Sequence, residues 1–137
     1  MSILNPSNEV IKDILQKYKT IAVVGLSNNP ERTSYMVAEA MQAAGYEIIP
    51  VNPSVDKVLG QKAFSSLEEI DKPIDIVNVF RRSEFLPDIA KETVAIGAKV
   101  FWAQLGVSNQ DAFDYLQQHN VTTVMDRCIK VEHAKFK

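Results

Sequence analysis

The sequence predicts a doubly wound α/β domain, with a mainly parallel sheet of five or six strands between two helical layers. Three observations carry this expectation. Short apolar runs rich in β-branched residues alternate with segments of helical period. The connections between them are short, with no internal repeat, low-complexity tract or linker. The first run, Ile21-Ala22-Val23-Val24, ends on Gly25 and leads through a small polar segment into a helix, the arrangement that holds phosphates in nucleotide-binding α/β folds.

The elements follow in order. Val10, Ile11, Ile14 and Leu15 have helical spacing over residues 7–18, with Ser7 as N-cap after Pro6. A strand over about Thr20–Gly25 comes next, buried on both faces by its composition. Val37, Ala40, Met41 and Ala44 then mark one helical face, closed by Gly45 at C′; Thr33 and Ser34 both suit its N-cap. Glu47-Ile48-Ile49-Pro50-Val51 is a second strand, ended by Asn52-Pro53, with Pro50 placed near its end because proline weakens an interior ladder. Strand, helix and strand form a right-handed crossover unit.

Residues 54–65 are the least regular part and allow one short strand, and 65–70 read as a short capped helix. Ile74–Phe80 is a strand, Phe80–Ser83 a turn, and Ser83 a cap for a helix to about Ile96 that Gly97 ends. Lys99–Ala103 is a strand, Gln104–Gly106 a turn, and Asn109 caps a helix carrying Ala112, Phe113 and Leu116. Val121–Met125 is the last strand, and Asp126–Lys137 a charged tail, either a final helical turn or an extended arm.

The 137 residues fit a single domain, residues 1–137, long enough to build a core without disulfides or metals. A formal net charge of -2 gives no global basic field, so no nucleic-acid role is expected. The lone Cys128 excludes an intrachain disulfide and a cysteine-based zinc site, and His119 and His133 fall on different predicted elements. Neither a signal peptide nor a membrane span is visible, and a cytoplasmic protein is expected.

Ligands of doubly wound sheets bind beyond the carboxyl ends of the strands. Here those ends are Gly25–Arg32, Asn52–Lys57, Phe80–Ser83 and Gln104–Gly106. A dinucleotide fingerprint needs three glycines, and only Gly25 is present, followed by Leu26-Ser27-Asn28-Asn29. The acid that binds an NAD ribose after the second strand is missing as well; Val51-Asn52-Pro53 stands there. A site without that carboxylate suits a ligand whose ribose is phosphorylated. Arg32, Lys57, Arg81 and Arg82 follow strand ends and can pair with phosphates, although any one of them alone would read as a solvated surface charge. Ser27 and Asn28 can donate to a phosphate or close a local turn. Pro53 and Phe80 offer flat surface to a base or a pantetheine arm, or pack their own loops, and Gln104 can bond a ligand amide or its own backbone.

Five segments carry a resemblance: VVGLSNNPERTSY (23–35), GYEIIPVNP (45–53), DIVNVFRR (75–82), GAKVFWAQLGV (97–107) and VMDRCIKVEH (124–133). In this order they resemble the CoA-binding-domain family, above all its small single-domain bacterial members. The wider family includes the amino-terminal domain of the succinyl-CoA synthetase α subunit. The resemblance implies a Rossmann-like fold that binds coenzyme A. It implies that Gly25, Ser27 and Arg32, with Asn28, Pro30 and Ser34 nearby, hold the pyrophosphate. The Asn52-Pro53 and Phe80-Arg81 turns would flank the adenosine, and Gln104 and Gly106 would border the cleft. In the synthetases a second domain supplies the phosphorylated histidine. His119 and His133 match no such motif, so the ligase chemistry is not carried over.

No catalytic constellation is visible, so the expectation is a non-catalytic protein that binds coenzyme A or an acyl-CoA. The alternatives are a redox module forming a mixed disulfide between Cys128 and the CoA thiol, with His133 as a candidate base, and an NAD(P)-binding regulatory domain.

Overall fold

The five expected parallel strands align side by side. The computed structural model describes residues 3–136. Strands β1 (Thr20–Val24), β2 (Glu47–Val51), β5 (Ile76–Val79), β6 (Val100–Ala103) and β7 (Thr122–Val124) form one sheet in the order β2-β1-β5-β6-β7, every pair parallel. From β1 the chain passes to one neighbour, β2, then returns to the other, β5. The strand order therefore reverses at β1. This is a Rossmann-like α/β fold.

Strand residues alternate between two cores with period two. Ala22, Val24, Ile49, Val77, Val79, Phe101 and Ala103 pack against α3 (Leu86–Ala95) and α4 (Gln110–Gln118). Ile21, Val23, Ile48, Ile76, Val100, Trp102 and Val124 pack against α1 (Asn8–Lys17), α2 (Thr33–Ala43) and α5 (Ile129–Ala134). With both faces covered, the central strands carry no exposed position, which is why they read as unbroken apolar runs. Asn78 is the polar exception, and its amide donates to the Trp102 carbonyl at 3.2 Å.

The caps expected at Ser7 and Asn109 form: each side-chain oxygen accepts an N–H, from Val10 at 3.3 Å and from Ala112 at 2.9 Å. Pro50 is the fourth of five residues in β2, which is an edge strand. Glu47 and Val51 bond to β1, whereas the Pro50 carbonyl faces outward and accepts from Phe64. Proline therefore occupies a position whose missing N–H costs no ladder bond.

Three expectations are corrected, and one left open is decided. Residues 54–65 hold two short strands, β3 (Lys57–Val58) and β4 (Gln61–Lys62), paired antiparallel. Leu59 and Gly60 turn between them with φ of 53° and 77°, the geometry of a type I′ hairpin. Neither Thr33 nor Ser34 caps α2; Arg32 stands at the N-cap, without a side-chain bond to the helix. Ser83 does not cap α3 either. It opens a 3-10 turn over Ser83–Phe85, its hydroxyl accepts from Ser108 N–H, and α3 begins at Leu86-Pro87. The charged tail resolves as a helix: α5 lies on the α1/α2 side, its approach fixed by Trp102 Nε1–H donating to the Arg127 carbonyl at 2.9 Å. No helix is long and apolar enough to cross a membrane among the described residues.

Candidate functional site

The register fixes the site. Val24 lies between Val51 and Val79, and Val79 pairs with Ala103. The next residue of each strand, Asn52, Gly25, Phe80 and Gln104, therefore falls in one row along the carboxyl edge. Gly25 is at the point where strand order reverses. Its φ is +86°, and its N–H donates to the Val51 carbonyl at 2.8 Å. A Cβ there would stand 3.1 Å from both the Phe80 carbonyl oxygen and Arg81 Cδ. Glycine is required twice, by the backbone angle and by the closeness of the β5 end.

After Gly25 the chain closes on itself through local hydrogen bonds. Ser27 N–H donates to Ser34 Oγ, Asn29 N–H to Ser27 Oγ, and Glu31 N–H to Asn29 Oδ1, each at 3.0 Å. The Ser27 hydroxyl thus closes the loop, and Asn29 rather than Asn28 makes the Asx-type turn. These bonds aim the loop so that α2 starts toward the cleft. The first-turn N–H groups of Thr33, Ser34 and Tyr35 meet no acceptor among the described residues, and the turn contains no acid. An uncapped helix start with partial positive charge is a ready anion site.

Asn52 ties the neighbouring strand to this loop. Its amide donates to the Leu26 carbonyl at 3.0 Å, and its Oδ1 accepts from Ser54 N–H at 2.9 Å. The place of a ribose-binding acid is therefore taken by a neutral residue that braces two loops.

Two connected hollows open along this edge. The smaller, about 320 Å³, lies at the start of α2 and is lined by Ser27, Glu31, Thr33 and Ser34. The larger, about 510 Å³, is lined by Asn52, Pro53, Ser54, Ser65, Ser66, Arg81, Arg82, Phe85, Ile89 and Glu92, among others. Gly25, Arg32 and Phe80 line both and form the waist. Arg81 lies over the Phe85 ring, its guanidinium carbon 4.4 Å from the centroid. Arg82 reaches Glu84 at 3.6 Å, whereas Arg32 and Arg81 have no carboxylate partner within 4 Å among the described residues. Glu92 has its carboxyl pushed above the usual range, first by burial, then by the charges of Glu68 and Asp88.

A family model described as a CoA binding domain matches residues 19–134. The chain belongs to the CoA-binding-domain family. It is 62% identical over 133 residues to the uncharacterized protein YneT of Bacillus subtilis (strain 168), covering 97% of this chain and 98% of YneT. A solved hypothetical protein from Pyrococcus horikoshii OT3 superposes with a TM-score of 0.93 at 32% identity, with 99% of each chain covered. The chain is also similar to the acetate–CoA ligase [ADP-forming] II subunit alpha of Pyrococcus furiosus, 31% identical over 80 residues. That match takes in 58% of this chain and only 18% of the ligase subunit.

Within this CoA-binding-domain fold, Gly25, Ser27, Arg32, Ser34, Asn52, Pro53, Phe80 and Arg81 are brought together along the cleft. Asn28 and Pro30 are exposed in the adjoining loop and do not line it. Lys57 lies on the β3–β4 hairpin, also outside the lining. Gln104 is 7% exposed with no partner for its Oε1, and Gly106 N–H donates to Asp126 Oδ1 at 2.6 Å; both sit beyond the cleft wall, by β6. Cys128, half-buried, is the N-cap of α5, and His133 packs edge-on against Tyr46, so neither lines either hollow. No metal-binding cluster occurs among the described residues.

Sequence reasoning missed Ser65, Ser66, Phe85, Ile89 and Glu92. None follows a strand end directly. Two signals for them exist: the Ser66…Glu69 capping pattern, whose Glu69 carboxylate accepts from Ser65 and Ser66 N–H, and the spacing 85, 89, 92, which puts Ile89 and Glu92 on one face of α3 behind its N-cap Phe85.

Proposed function

We infer that the protein binds coenzyme A or an acyl-CoA thioester without chemical conversion, with the nucleotide laid along the carboxyl edge of β2, β1 and β5. One observation carries the reading: the uncapped start of α2 opens, beside Arg32, onto a cleft whose second-strand position is Asn52 instead of an acid. Phosphates then meet free N–H donors and unpaired guanidinium groups, and a phosphorylated ribose meets no opposing carboxylate from β2. The family assignment supports the same ligand class. The ligase activity of longer relatives belongs to chains of which this one spans a small part, and no step of it is assigned here.

Isothermal titration against coenzyme A, dephospho-CoA, NAD and NADP tests this. Coenzyme A should bind most tightly, and dephospho-CoA more weakly by the loss of one phosphate contact. Preference for NAD, or no binding of coenzyme A, overturns the reading.

A further inference from the structure

Glu92 is the one carboxylate among the described residues lining the larger hollow, where three arginines also stand. It makes no ion pair within 4 Å and no side-chain hydrogen bond with any described residue. An ionised carboxylate in a cleft for a phosphorylated ligand repels that ligand; Glu31, exposed before the start of α2, is the other carboxylate that lines the two hollows among the described residues. The chain nevertheless aims Glu92 into the larger hollow from α3, about one turn beyond Ile89 on the same helical face, with the N-cap Phe85 before them. Its charged surroundings reinforce the point. Glu68, on the 3-10 turn Leu67–Glu69, and Asp88, one turn back on α3, act on it as like charges, while Arg81 and Arg82 line the same hollow. Burial first, and then these like charges, push its carboxyl above the usual range. A carboxyl oxygen without a partner is a ready acceptor for an amino group.

Resting on the coenzyme A reading, we propose that Glu92 is a specificity residue for adenine, its carboxyl oxygen accepting from the N6 amino group. The surroundings suit a base rather than the pantetheine arm. Arg81 laid on Phe85 is a flat cationic platform of the kind on which bases stack, and Pro53 and Ile89 add apolar surface. The pyrophosphate start of α2 adjoins this hollow through the waist, so a base there is one ribose away from the phosphates.

Titration of coenzyme A and its 1,N6-etheno analogue tests the assignment. The analogue keeps a flat base and all phosphates but blocks N1 and N6 together. The wild type should bind coenzyme A about tenfold more tightly than the analogue, as the loss of one hydrogen bond to the carboxyl implies. In Glu92→Ala that ratio should fall toward one. In Glu92→Gln, whose amide oxygen can accept the same bond, the ratio should persist. An unchanged ratio in Glu92→Ala, or a ratio near one in Glu92→Gln, overturns the Glu92 assignment while coenzyme A binding stands. Failure of the wild type to bind coenzyme A at any pH overturns both.

Discussion

Replacing Gly25 with alanine should damage the fold and the site together, and the size of the damage follows from two separate terms. The first is backbone strain. Gly25 has φ +86°, and an L-residue held in the left-handed region costs about 1–2 kcal/mol. The second is contact. The new Cβ would lie 3.1 Å from the Phe80 carbonyl oxygen, and that oxygen cannot retreat freely, because Phe80 N–H is bonded to the Val24 carbonyl at 2.9 Å. Arg81 Cδ, equally close, is on a flexible side chain and can move. Forcing one extra methyl against fixed backbone costs about 1–3 kcal/mol. The sum, about 3 kcal/mol, corresponds to a fall in Tm of roughly 10 °C for a domain of this size. Gly97→Ala is the control. It has φ +72° but nothing within 4 Å of a built Cβ, so it should show only the first term. Urea unfolding monitored by Trp102 fluorescence and circular dichroism reads both variants. Equal losses for Gly25→Ala and Gly97→Ala would refute the close-approach argument.

Three other perturbations follow. Arg32→Ala should weaken coenzyme A by about 1.5–3 kcal/mol, the range for a hydrogen bond to a charged group, and leave a phosphate-free pantetheine fragment unaffected; calorimetry on both ligands decides. Ser34→Ala removes the acceptor of the Ser27 N–H at a position 7% exposed, which should cost about 1–3 kcal/mol in urea unfolding and loosen the 26–32 loop. Glu92→Gln should stabilise the ligand-free protein at neutral pH. A carboxyl raised in the fold penalises the native state once pH exceeds its unfolded value, so the wild type loses stability as pH rises between the two values. The advantage of the glutamine variant should close below about pH 4, where both states of the wild type are protonated; Tm across pH shows it.

The sheet was legible in the sequence because all five of its strands are buried on both faces, and burial leaves a contiguous apolar signature. Helix ends were legible where a side chain does the capping, as at Ser7 and Asn109. They were not legible at α2, where serine and threonine are present but the helix start is left open, and Ser34 serves the preceding loop instead. The β3–β4 hairpin escaped because its two strands have two residues each, and its turn places leucine, an unusual residue there, at positive φ. The same distinction governs the site. Residues directly after strands follow from the topology rule, which brings Gly25, Asn52, Phe80 and Gln104 into one row. Ser65, Ser66 and Glu92 reach the cleft through tertiary packing of the 67–69 turn and α3, which no local spacing fixes. Gln104 shows the limit of the rule. It lies in the row, but β6 is one strand farther from the reversal, and its side chain is buried away from the hollows.

The central claim is that coenzyme A sits at the carboxyl edge, with its phosphates on the start of α2. Titration of coenzyme A into isotopically labelled protein, followed by amide chemical shifts, tests ligand and place at once. The account predicts saturable shifts concentrated at Gly25, Ser27, Thr33, Ser34 and Arg81, with α4 and β7 unmoved. Saturable shifts centred on α5 or α4, or no shifts at millimolar ligand, would contradict it.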